Sequence, residues 1–366
     1  MEGTMLAQRL YTDTKKITIE EVPIPKPGPG EVLIKIAYCG ICHSDLSLID
    51  GNFPPQLPVI TQGHECAGEI AELGPGVDGW EVGDKVIPVS GRACRECREC
   101  RRGNFGGCMN TQLMAFAYDG AWAQYAVTPA AGMTRVPEGV PMDQAAILAD
   151  AVATPFGAVK RTGKVSLGNA VGVWGLGGIG THIVQLAKLA GAVPVIGLDI
   201  NDEVLERAKE LGADYVFRSD DPELMDKIRE ATGGRMIDVA FDAVGIKQTF
   251  RQAIESLDFH GRAILVGLSG QDMEGGPLLN FGLQQKQALG HLGYRPVDIY
   301  LLAELIKAGR LDLSRSVSKV IPLRDIEKGI DMVHNKVGNP IRIVVDPWAE
   351  TAEEVEANYK KMSENA

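Results

Sequence analysis

The chain has 366 residues, which is long for a single hydrophobic core and typical of two domains. Its ordinary globular composition (45% hydrophobic, 23% charged) and net charge of −11 argue against a general binder of nucleic acid or anionic membranes. The sequence shows neither a signal-peptide pattern nor an apolar run of roughly 20 residues, so we expect a cytoplasmic protein with no membrane partner.

The first part of the chain, from residue 5 to about residue 90, is predicted to be rich in β-strands. Val32, Ile34 and Ile36 alternate with their neighbours, as residues of a half-buried strand do. Frequent glycine and proline residues supply turns between short strands. The pattern predicts an irregular β-barrel or sandwich.

A candidate metal site lies between Tyr38 and Gly68. Two cysteines, Cys39 and Cys42, precede a histidine–carboxylate pair, His64 and Glu65. Thiolate, imidazole and carboxylate are the ligand types that zinc prefers. The alternative is a group of buried free thiols beside a core histidine, since free cysteine is often simply buried.

A second cysteine cluster follows, within residues 92–108. The chain has seven cysteines, none after Cys108, and this odd number without a secretory signal favours metal over disulfides. The arginines between these cysteines allow a nucleic-acid-binding zinc ribbon, but the acidic chain and the lack of interleaved aromatic residues favour a solvated surface. The spacing predicts a structural zinc bound by four thiolates, those of Cys94, Cys97, Cys100 and Cys108.

From about residue 152 the pattern changes to strands that alternate with helices. The predicted strands are 171–174, 193–198, 215–217, 237–241, 263–266 and 288–292, and the predicted helices include 202–211, 222–231 and 248–257. This alternation predicts a doubly wound parallel sheet, and the fold class is therefore α/β.

A glycine-rich turn follows the first of these strands. Gly175-Leu176-Gly177-Gly178-Ile179-Gly180 opens a helix, and Asp199 ends the next strand. The glycines allow a tight turn, a close approach of the backbone to a pyrophosphate, and close packing of helix and strand. The helix N-terminus attracts phosphate. An acid at position 199 would bind both ribose hydroxyls of NAD and repel the 2′-phosphate of NADP.

The remainder of the chain is predicted to contain a helix at 298–308 and a strand at 341–346. Residues 347–366 are polar and rich in glutamate with helical spacing, and we expect a solvated tail helix.

Taken together, these features resemble the zinc-dependent alcohol dehydrogenases of the medium-chain dehydrogenase/reductase superfamily. The resemblance covers roughly residues 6–346, and its most specific part runs from Gly63 through His64, Glu65, Gly68 and Gly74 to Val77. It implies a GroES-like catalytic domain at 1–151, a Rossmann NAD-binding domain at 152–293, a second catalytic part at 294–346, and the polar tail at 347–366.

The resemblance also implies a catalytic zinc site. Cys42 and His64 match two of its ligands, and Glu65 matches a nearby carboxylate. Many family members have a cysteine as the third ligand, but Asp150 stands at that place here. It is expected to bind the zinc; the alternative is that Asp150 caps a helix or is simply solvated.

Four more residues near Cys42 match positions with roles in the family. Ser44 matches the hydroxyl that takes the proton of the substrate, and Asp45 matches the carboxylate that orients the histidine ligand. His43 matches a position that contacts the cofactor pyrophosphate. Ser47 replaces the histidine that continues the proton relay in many members, so the proton is expected to pass through the ribose hydroxyl or His43.

The resemblance leaves the substrate open. Arg342 matches an arginine that often pairs with pyrophosphate; the alternative is a surface residue on a strand edge. Ser90 stands where a bulky aromatic residue often narrows the pocket, which suggests a secondary, cyclic or aromatic alcohol. The apolar residues expected beside cofactor and substrate are Leu268, Phe53, Met114 and Phe116.

The predicted function is therefore the interconversion of an alcohol and an aldehyde or ketone, with two zinc ions and NAD. A homodimer or homotetramer is expected through the edge of the Rossmann sheet near 288–292. Two alternatives remain: a polyol or sugar dehydrogenase of the same superfamily, and a non-catalytic protein that binds zinc and nucleotide. A zinc-free reductase is disfavoured because the metal ligands are present.

Overall fold

The computed structural model describes residues 1–363, and the end of the predicted tail, Glu364, Asn365 and Ala366, lies outside the described residues. The chain forms two compact units. One consists of residues 1–153 together with the chain from Arg295 onward, and the other is Thr154–Tyr294. Within residues 1–363, no helix is long and apolar enough to cross a membrane.

The first unit begins with short strands and few helices. In order, its elements up to residue 153 are β1 (Thr4–Tyr11), β2 (Lys16–Pro23), β3 (Glu31–Gly40), α1 (His43–Asp50), β4 (Val59–Ile60), β5 (Cys66–Leu73), β6 (Lys85–Ile87), β7 (Gly91–Arg92), α2 (Arg98–Arg101), β8 (Gln112–Leu113), β9 (Tyr125–Pro129), β10 (Thr134–Arg135) and α3 (Met142–Ile147). A π-helical turn, Leu148–Val152, continues α3.

The second unit alternates strands with helices. It starts in helix α4 (Ala153–Gly157) and a second π-helical turn, Ala158–Thr162. Then follow β11 (Val171–Trp174), α5 (Gly178–Leu189), β12 (Val195–Asp199), α6 (Asp202–Glu210), β13 (Tyr215–Arg218), α7 (Leu224–Ala231), β14 (Ile237–Asp242), α8 (Lys247–Glu255), β15 (Leu257–Leu265), α9 (Leu278–Leu283) and β16 (Gln287–Gly290).

The chain then returns to the first unit. Its last elements are α10 (Pro296–Lys307), β17 (Val317–Pro322), α11 (Ile326–His334), β18 (Arg342–Asp346) and α12 (Ala352–Ser363). The predicted tail helix is present as α12, but it is not wholly solvated. Val355 is buried, and the side-chain amide of Asn358 donates to Asp346 Oδ2 at 3.2 Å.

The largest sheet of the first unit is organised around β3. It runs in the order β10-β6-β5-β3-β18-β17, with β9 paired to β3 as well. Ile34 and Ile36 of β3 are fully buried and pack with Trp122 and Ile343 in one hydrophobic core. Burying these side chains stabilises the sheet by about 2 kcal/mol each. The predicted β-rich fold of this region is confirmed, and β3 leads directly into α1.

The second unit is a parallel sheet in the order β13-β12-β11-β14-β15-β16. All four residues of β11 are buried, as expected for a central strand covered on both faces. The strand order reverses between β11 and β14, and ligands bind such sheets at the carboxyl ends beside this reversal. The predicted doubly wound α/β fold is confirmed.

Two details of the predicted elements are wrong. Strand β15 begins at Leu257 rather than 263, because a register shift opposite β14 splits it into two paired stretches. The sequence predicts no helix near residues 43–50, yet α1 lies there. Leu46 and Leu48 are both buried, and their spacing of two residues resembles the alternation of a strand.

Candidate active site

Cys42 lies directly before α1 and caps the N-terminus of this helix. The carboxylate of Asp45 accepts a hydrogen bond from the Cys42 backbone N–H, with its Oδ2 at 3.0 Å. This bond satisfies a donor that the start of a helix leaves free. Ser44 lies in the first turn, and Gly51 ends the helix in a left-handed conformation with φ of +86°. One short helix therefore carries both the Cys42 thiol and the Ser44 hydroxyl.

His64 lies in the turn between β4 and β5. The preceding Gly63 has φ of +88°, and a Cβ there would overlap the ring of Trp122, so glycine is required. Asp45 Oδ1 lies 3.2 Å from His64 Nδ1. This carboxylate holds the proton on Nδ1 and leaves Nε2 free to bind a metal.

Asp150 lies in the π-helical turn Leu148–Val152. Such wide turns change the direction of side chains and are frequent at functional sites. The backbone N–H of the next residue, Ala151, donates to Glu65 Oε2 at 3.1 Å. Asp150 Oδ2 lies 3.2 Å from Cys42 Sγ and 3.5 Å from His64 Nε2. Asp150 therefore contacts two other predicted ligands and does not cap a helix.

The three donor groups fit a zinc ion. The ligand atoms of Cys42, His64 and Asp150 lie within 4.8 Å of one another. Zinc–ligand bonds of about 2.0–2.3 Å in a tetrahedron place neighbouring donor atoms about 3.4–3.6 Å apart, close to the separations found. Thiolate, imidazole and carboxylate are also the zinc ligand types. Three protein ligands are typical of catalytic zinc, because one position stays open.

A buried ion pair lies beside these donors. Glu65 has no exposed surface, Arg342 is 5% exposed, and Glu65 Oε1 is 3.2 Å from Arg342 Nε. Burial raises the pKa of Glu65 to about 8, while Arg342 counteracts this rise. Burial disfavours the charge of Arg342, but Glu65 and Cys42 raise its pKa above the usual value. Arg342 also donates to the carbonyl of Ile41 at 2.9 Å, so it is not a surface residue.

The hydroxyl of Ser44 faces the same site. Its Oγ lies 3.2 Å from His64 Nε2. The hydroxyl of Ser47 instead donates to the backbone carbonyl of His43 at 3.1 Å. The surrounding protein and the positive charges of nearby cations lower the pKa of His43. Those cations are Arg342, Lys336 and His334.

Two aromatic rings form an apolar wall next to His64. The ring centroid of Phe116 lies 5.7 Å from that of His64, and Phe53 packs edge-on against Phe116 at 5.7 Å. Met114 is buried in the hydrophobic core of the first unit. Of the predicted apolar residues, Phe116 therefore contacts a candidate metal ligand, and Phe53 packs against Phe116.

The second cysteine cluster closes around α2. Cys94 Sγ lies 4.0 Å from Cys100 Sγ, and Cys97 Sγ lies 4.0 Å from Cys108 Sγ. Tetrahedral zinc separates thiolates by about 3.8 Å. The backbone N–H of Cys97 donates to Cys94 Sγ at 3.3 Å, and that of Cys94 donates to Cys108 Sγ at 3.3 Å. These bonds favour thiolates, and backbone N–H groups lower the pKa of Cys97 to about 6. The cluster fits a structural zinc.

The glycine-rich turn of the second unit fits a pyrophosphate. Gly175 has φ of +82°, and a Cβ at Gly180 would overlap the Gly175 carbonyl oxygen. A Cβ at Gly177 would meet open space, which leaves room for a ligand beside the backbone. Gly178 and Ile179 form the first turn of α5, whose free N–H groups attract phosphate.

Asp199 lies beside this turn at the end of β12. Its Oδ2 accepts from the Leu176 N–H at 2.8 Å, and its Oδ1 accepts from the Ile200 N–H at 2.8 Å. The side chains of Ile200, Val244 and Leu268 are exposed where strands β12, β14 and β15 end. Exposed apolar side chains around a carboxylate fit the base and ribose of a dinucleotide.

The sequence missed some residues behind the metal ligands. Gln8 and Gln62 have no exposed surface, and Gln62 donates to the backbone carbonyl of Asp45 at 2.9 Å. A signal was present: Gln8 stands in a strand between the buried apolar residues Ala7 and Leu10, and Gln62 directly precedes Gly63 and His64. A single buried amide gives no sequence periodicity, so its partner is visible only in the fold.

Comparison with known proteins agrees with this geometry. A family model described as "Alcohol dehydrogenase GroES-like domain" matches residues 28–138, and one described as "Zinc-binding dehydrogenase" matches residues 178–308. A NAD-dependent alcohol dehydrogenase of Sulfurisphaera tokodaii is 32% identical over 341 residues, 90% of this chain and 97% of that protein.

Two further similar proteins have names that refer to other hydroxyl-bearing substrates. The L-threonine 3-dehydrogenase of Pyrococcus horikoshii is 37% identical over 258 residues, 68% of this chain and 71% of that protein. The crystal structure of 2R,3R-butanediol dehydrogenase from Bacillus subtilis matches with a TM-score of 0.84 and 29% identity, covering 94% of this chain and 99% of that one. The chain therefore belongs to the zinc-dependent alcohol dehydrogenase family of the medium-chain dehydrogenase/reductase superfamily, as a NAD-dependent oxidoreductase that acts on alcohols.

Proposed function

We propose that this enzyme oxidises a secondary alcohol to a ketone, reversibly. Residues 1–153 with the chain from Arg295 onward would be its catalytic domain, and Thr154–Tyr294 its NAD-binding domain. The observation that most supports the proposal is the meeting of three zinc-type donors beside a hydroxyl, with Ser44 Oγ 3.2 Å from His64 Nε2.

The catalytic zinc would be held by Cys42, His64 and Asp150, and a structural zinc by the four cysteines of residues 94–108. When bound, the catalytic zinc supplies a Lewis acid that favours negative charge on the substrate oxygen. Asp45 orients His64 through Nδ1. Arg342, paired with Glu65, lies near these ligands, and its positive charge offsets the negative charges of Cys42 and Asp150.

Ser44 would accept the proton of the substrate hydroxyl. Its Oγ is the hydroxyl oxygen nearest to His64 Nε2 among the contacts of this site, which supports this role. Ser47 does not extend a relay toward Ser44, because its own hydroxyl is bonded to the backbone of α1. The proton therefore leaves Ser44 by another route, through a cofactor hydroxyl or through His43.

NAD would bind the second unit at the Gly175–Gly180 turn. The N-terminus of α5, formed by Gly178 and Ile179, would take the pyrophosphate, and Asp199 would bind the adenosine ribose. Leu268 lies among the exposed apolar residues of the same strand ends. When bound, the nicotinamide supplies the hydride acceptor.

A secondary alcohol is favoured by the walls of the site and by the relatives. Phe116 offers one flat apolar surface, and Ser90 stands where, by the family resemblance, a bulky aromatic residue often narrows the pocket. The names of two relatives, a threonine 3-dehydrogenase and a butanediol dehydrogenase, refer to substrates with a hydroxyl on an internal carbon. We infer a substrate of that kind for this chain.

A second copy of the chain is the proposed protein partner, in the cytoplasm. Strand β16 is the edge of the parallel sheet, and an unpaired edge can accept a second strand. Helix α9, just before it, has no buried residue and exposes three leucines. They are Leu278, Leu279 and Leu283. These features support a homodimer through this edge, or a tetramer built from such dimers.

The test is NADH formation from NAD with a panel of primary, secondary, cyclic and benzylic alcohols, diols and threonine. We expect secondary alcohols to give the highest kcat/KM, and a strong chelator to abolish turnover. Cys42→Ala should lose turnover while it keeps NAD binding by fluorescence titration. Turnover that resists both the chelator and Cys42→Ala would contradict the zinc mechanism, and a preference for primary alcohols would contradict the substrate class.

A further inference from the structure

Two glutamines with no exposed surface lie behind the proposed zinc site. Gln8, on β1, binds Gln62 at two points: its Oε1 accepts from the Gln62 backbone N–H at 2.8 Å, and its Nε2 donates to Gln62 Oε1 at 3.3 Å. The side-chain amide of Gln62 then donates to the backbone carbonyl of Asp45 at 2.9 Å. A directed chain of hydrogen bonds therefore runs from β1 to α1.

Asp45 joins the two segments that carry metal ligands. Its Oδ2 accepts from the Cys42 backbone N–H at 3.0 Å, and its Oδ1 contacts His64 Nδ1 at 3.2 Å. A shift of α1 relative to the loop before β5 would therefore move Cys42 and Ser44 away from His64. The bond from Gln62 to Asp45 resists that shift.

The path of the loop itself does not depend on the Gln62 side chain. Backbone N–H groups of Gly120, Trp122 and Ala121 donate to the carbonyls of Thr61, Gln62 and Gly63 at 2.7–2.8 Å. The loop is therefore fixed through its backbone, and an apolar side chain at position 62 could fill the same space. What the Gln62 amide adds is a shorter link to α1, at 2.9 Å, beside the contacts of Asp45 Oδ1 with the Gly63 N–H at 3.4 Å and His64 Nδ1 at 3.2 Å.

Burying two amides is costly unless each is bonded. An unpaired buried amide costs about 1–3 kcal/mol, whereas a bonded network in a low dielectric holds one geometry firmly. Gln8 makes both of its bonds to Gln62, so it fixes the orientation of the Gln62 amide toward α1. The bonded pair therefore holds one geometry behind the metal site in addition to stabilising the fold.

We propose that Gln62, oriented by Gln8, is a positioning residue that sets the separation of Cys42 from His64 and thereby the affinity of the catalytic site for zinc. The inference rests on the proposed assignment of Cys42, His64 and Asp150 to that zinc. Groups that orient metal ligands from behind typically change metal affinity by about 10–100-fold when they are removed.

The test measures the rate of zinc release from the full-length protein. It compares wild type with Gln62→Leu, Gln8→Leu and the double variant. We expect one zinc per chain to leave about tenfold faster under a chelator in Gln62→Leu, while the cysteine-bound zinc leaves at the wild-type rate. The double variant should match Gln62→Leu, because Gln8 acts through Gln62. With Co²⁺ in the catalytic site, Gln62→Leu and the double variant should both shift the visible absorption bands relative to wild type.

The double variant removes both side-chain amides, but it leaves the Gln62 backbone N–H without the Gln8 Oε1 acceptor. The release rate of the cysteine-bound zinc, measured in the same protein, therefore separates positioning from a general loss of stability. Thr128→Val, at a buried position in β9 of the same unit, is the control and should leave both zinc ions unaffected. Wild-type zinc release and Co²⁺ spectrum in the double variant would overturn the inference, as would equal acceleration of both zinc ions. A wild-type protein with one zinc, unaffected by Cys42→Ala, would instead overturn the underlying zinc assignment.

Discussion

Asp150 stands where the family resemblance leads us to expect a cysteine, and we propose it as the third ligand of the catalytic zinc. Its Oδ2 lies 3.2 Å from Cys42 Sγ and 3.5 Å from His64 Nε2, separations suited to a shared ion. A carboxylate is a harder ligand than a thiolate and binds zinc less tightly. The catalytic zinc of this enzyme should therefore exchange more readily than one bound by two thiolates.

Substitution of Asp150 tests this role. Asp150→Asn removes the negative charge but keeps the shape, and we expect zinc affinity of the catalytic site to fall by about tenfold or more. Asp150→Cys supplies a second thiolate and should hold zinc more tightly than wild type. The number of zinc ions per chain, after dialysis against a series of chelator concentrations, measures the zinc affinity of both variants. The cysteine-bound zinc serves as the internal standard. Unchanged zinc content in Asp150→Asn would show that the third ligand lies elsewhere.

We propose that Asp199 sets the preference for NAD, because its carboxylate would bind the ribose hydroxyls and repel a 2′-phosphate. Asp199→Ser should lower kcat/KM for NAD by about 10–100-fold, the effect of one or two lost charged hydrogen bonds. The ratio of kcat/KM for NAD to that for NADP should fall with it. Asp202→Ser, a neighbouring exposed carboxylate, is the control. An unchanged ratio in Asp199→Ser would assign the selectivity to another residue.

At the scale of elements, three short segments supply the side chains of the candidate metal site. Helix α1 carries Cys42 and Ser44, the turn before β5 carries His64, and the π-helical turn at 148–152 carries Asp150. None of these pieces is long enough to be stable alone, since isolated helices of this length are marginal in water. Their positions follow from packing on β3 and from buried hydrogen bonds.

Gly63, in the turn before β5, is restricted both by its backbone conformation and by the side chain that packs against it. Gly63→Ala forces a left-handed backbone, at about 1–2 kcal/mol, and also drives a Cβ into the Trp122 ring. Gly76→Ala is the matched control, because Gly76 has a similar φ of +74° but no atom within 4 Å of a Cβ. We expect the urea midpoint to fall clearly further in Gly63→Ala. Equal midpoints would mean that Trp122 moves aside at no cost.

At the scale of the whole molecule, the exposed leucines of α9 are the main support for the proposed homodimer. Leu278 is 86% exposed, beside the free edge of β16. Large exposed apolar side chains that cluster at a sheet edge mark association surfaces, whereas isolated ones are common. A closed dimer through this edge would cover the cluster.

Leu278→Glu combined with Leu279→Glu tests the dimer. Two buried charges without partners should raise the dissociation constant at least about tenfold and lower the mass measured by light scattering. Leu167→Glu is the control, because Leu167 is equally exposed at 86% but lies outside this cluster. If the double variant keeps the wild-type mass while Leu167→Glu lowers it, the association surface lies elsewhere.

Local patterns explain why the sequence was informative about some parts of the molecule. The strand, glycine-rich turn, helix and acid of residues 171–199 lie close together in sequence, so their periodicity and spacing predict both the sheet and the NAD site. The four cysteines of residues 94–108 are equally local. Cys42 and His64 are not close in the sequence, and no local pattern pairs them. The family resemblance assigns them as ligands of one zinc, because both positions match ligand positions of the family.

The sequence by itself determined the α/β fold class, the cysteine cluster and the dinucleotide-binding turn, because hydrophobic period and short spacings encode them. Only the tertiary structure decided how Asp150 reaches Cys42 and His64, how Arg342 is buried against Glu65, and how Gln8 binds Gln62. These contacts join residues from different elements. Their energy depends on burial and on distances of a few tenths of an ångström, which no pattern of residue types along the chain specifies.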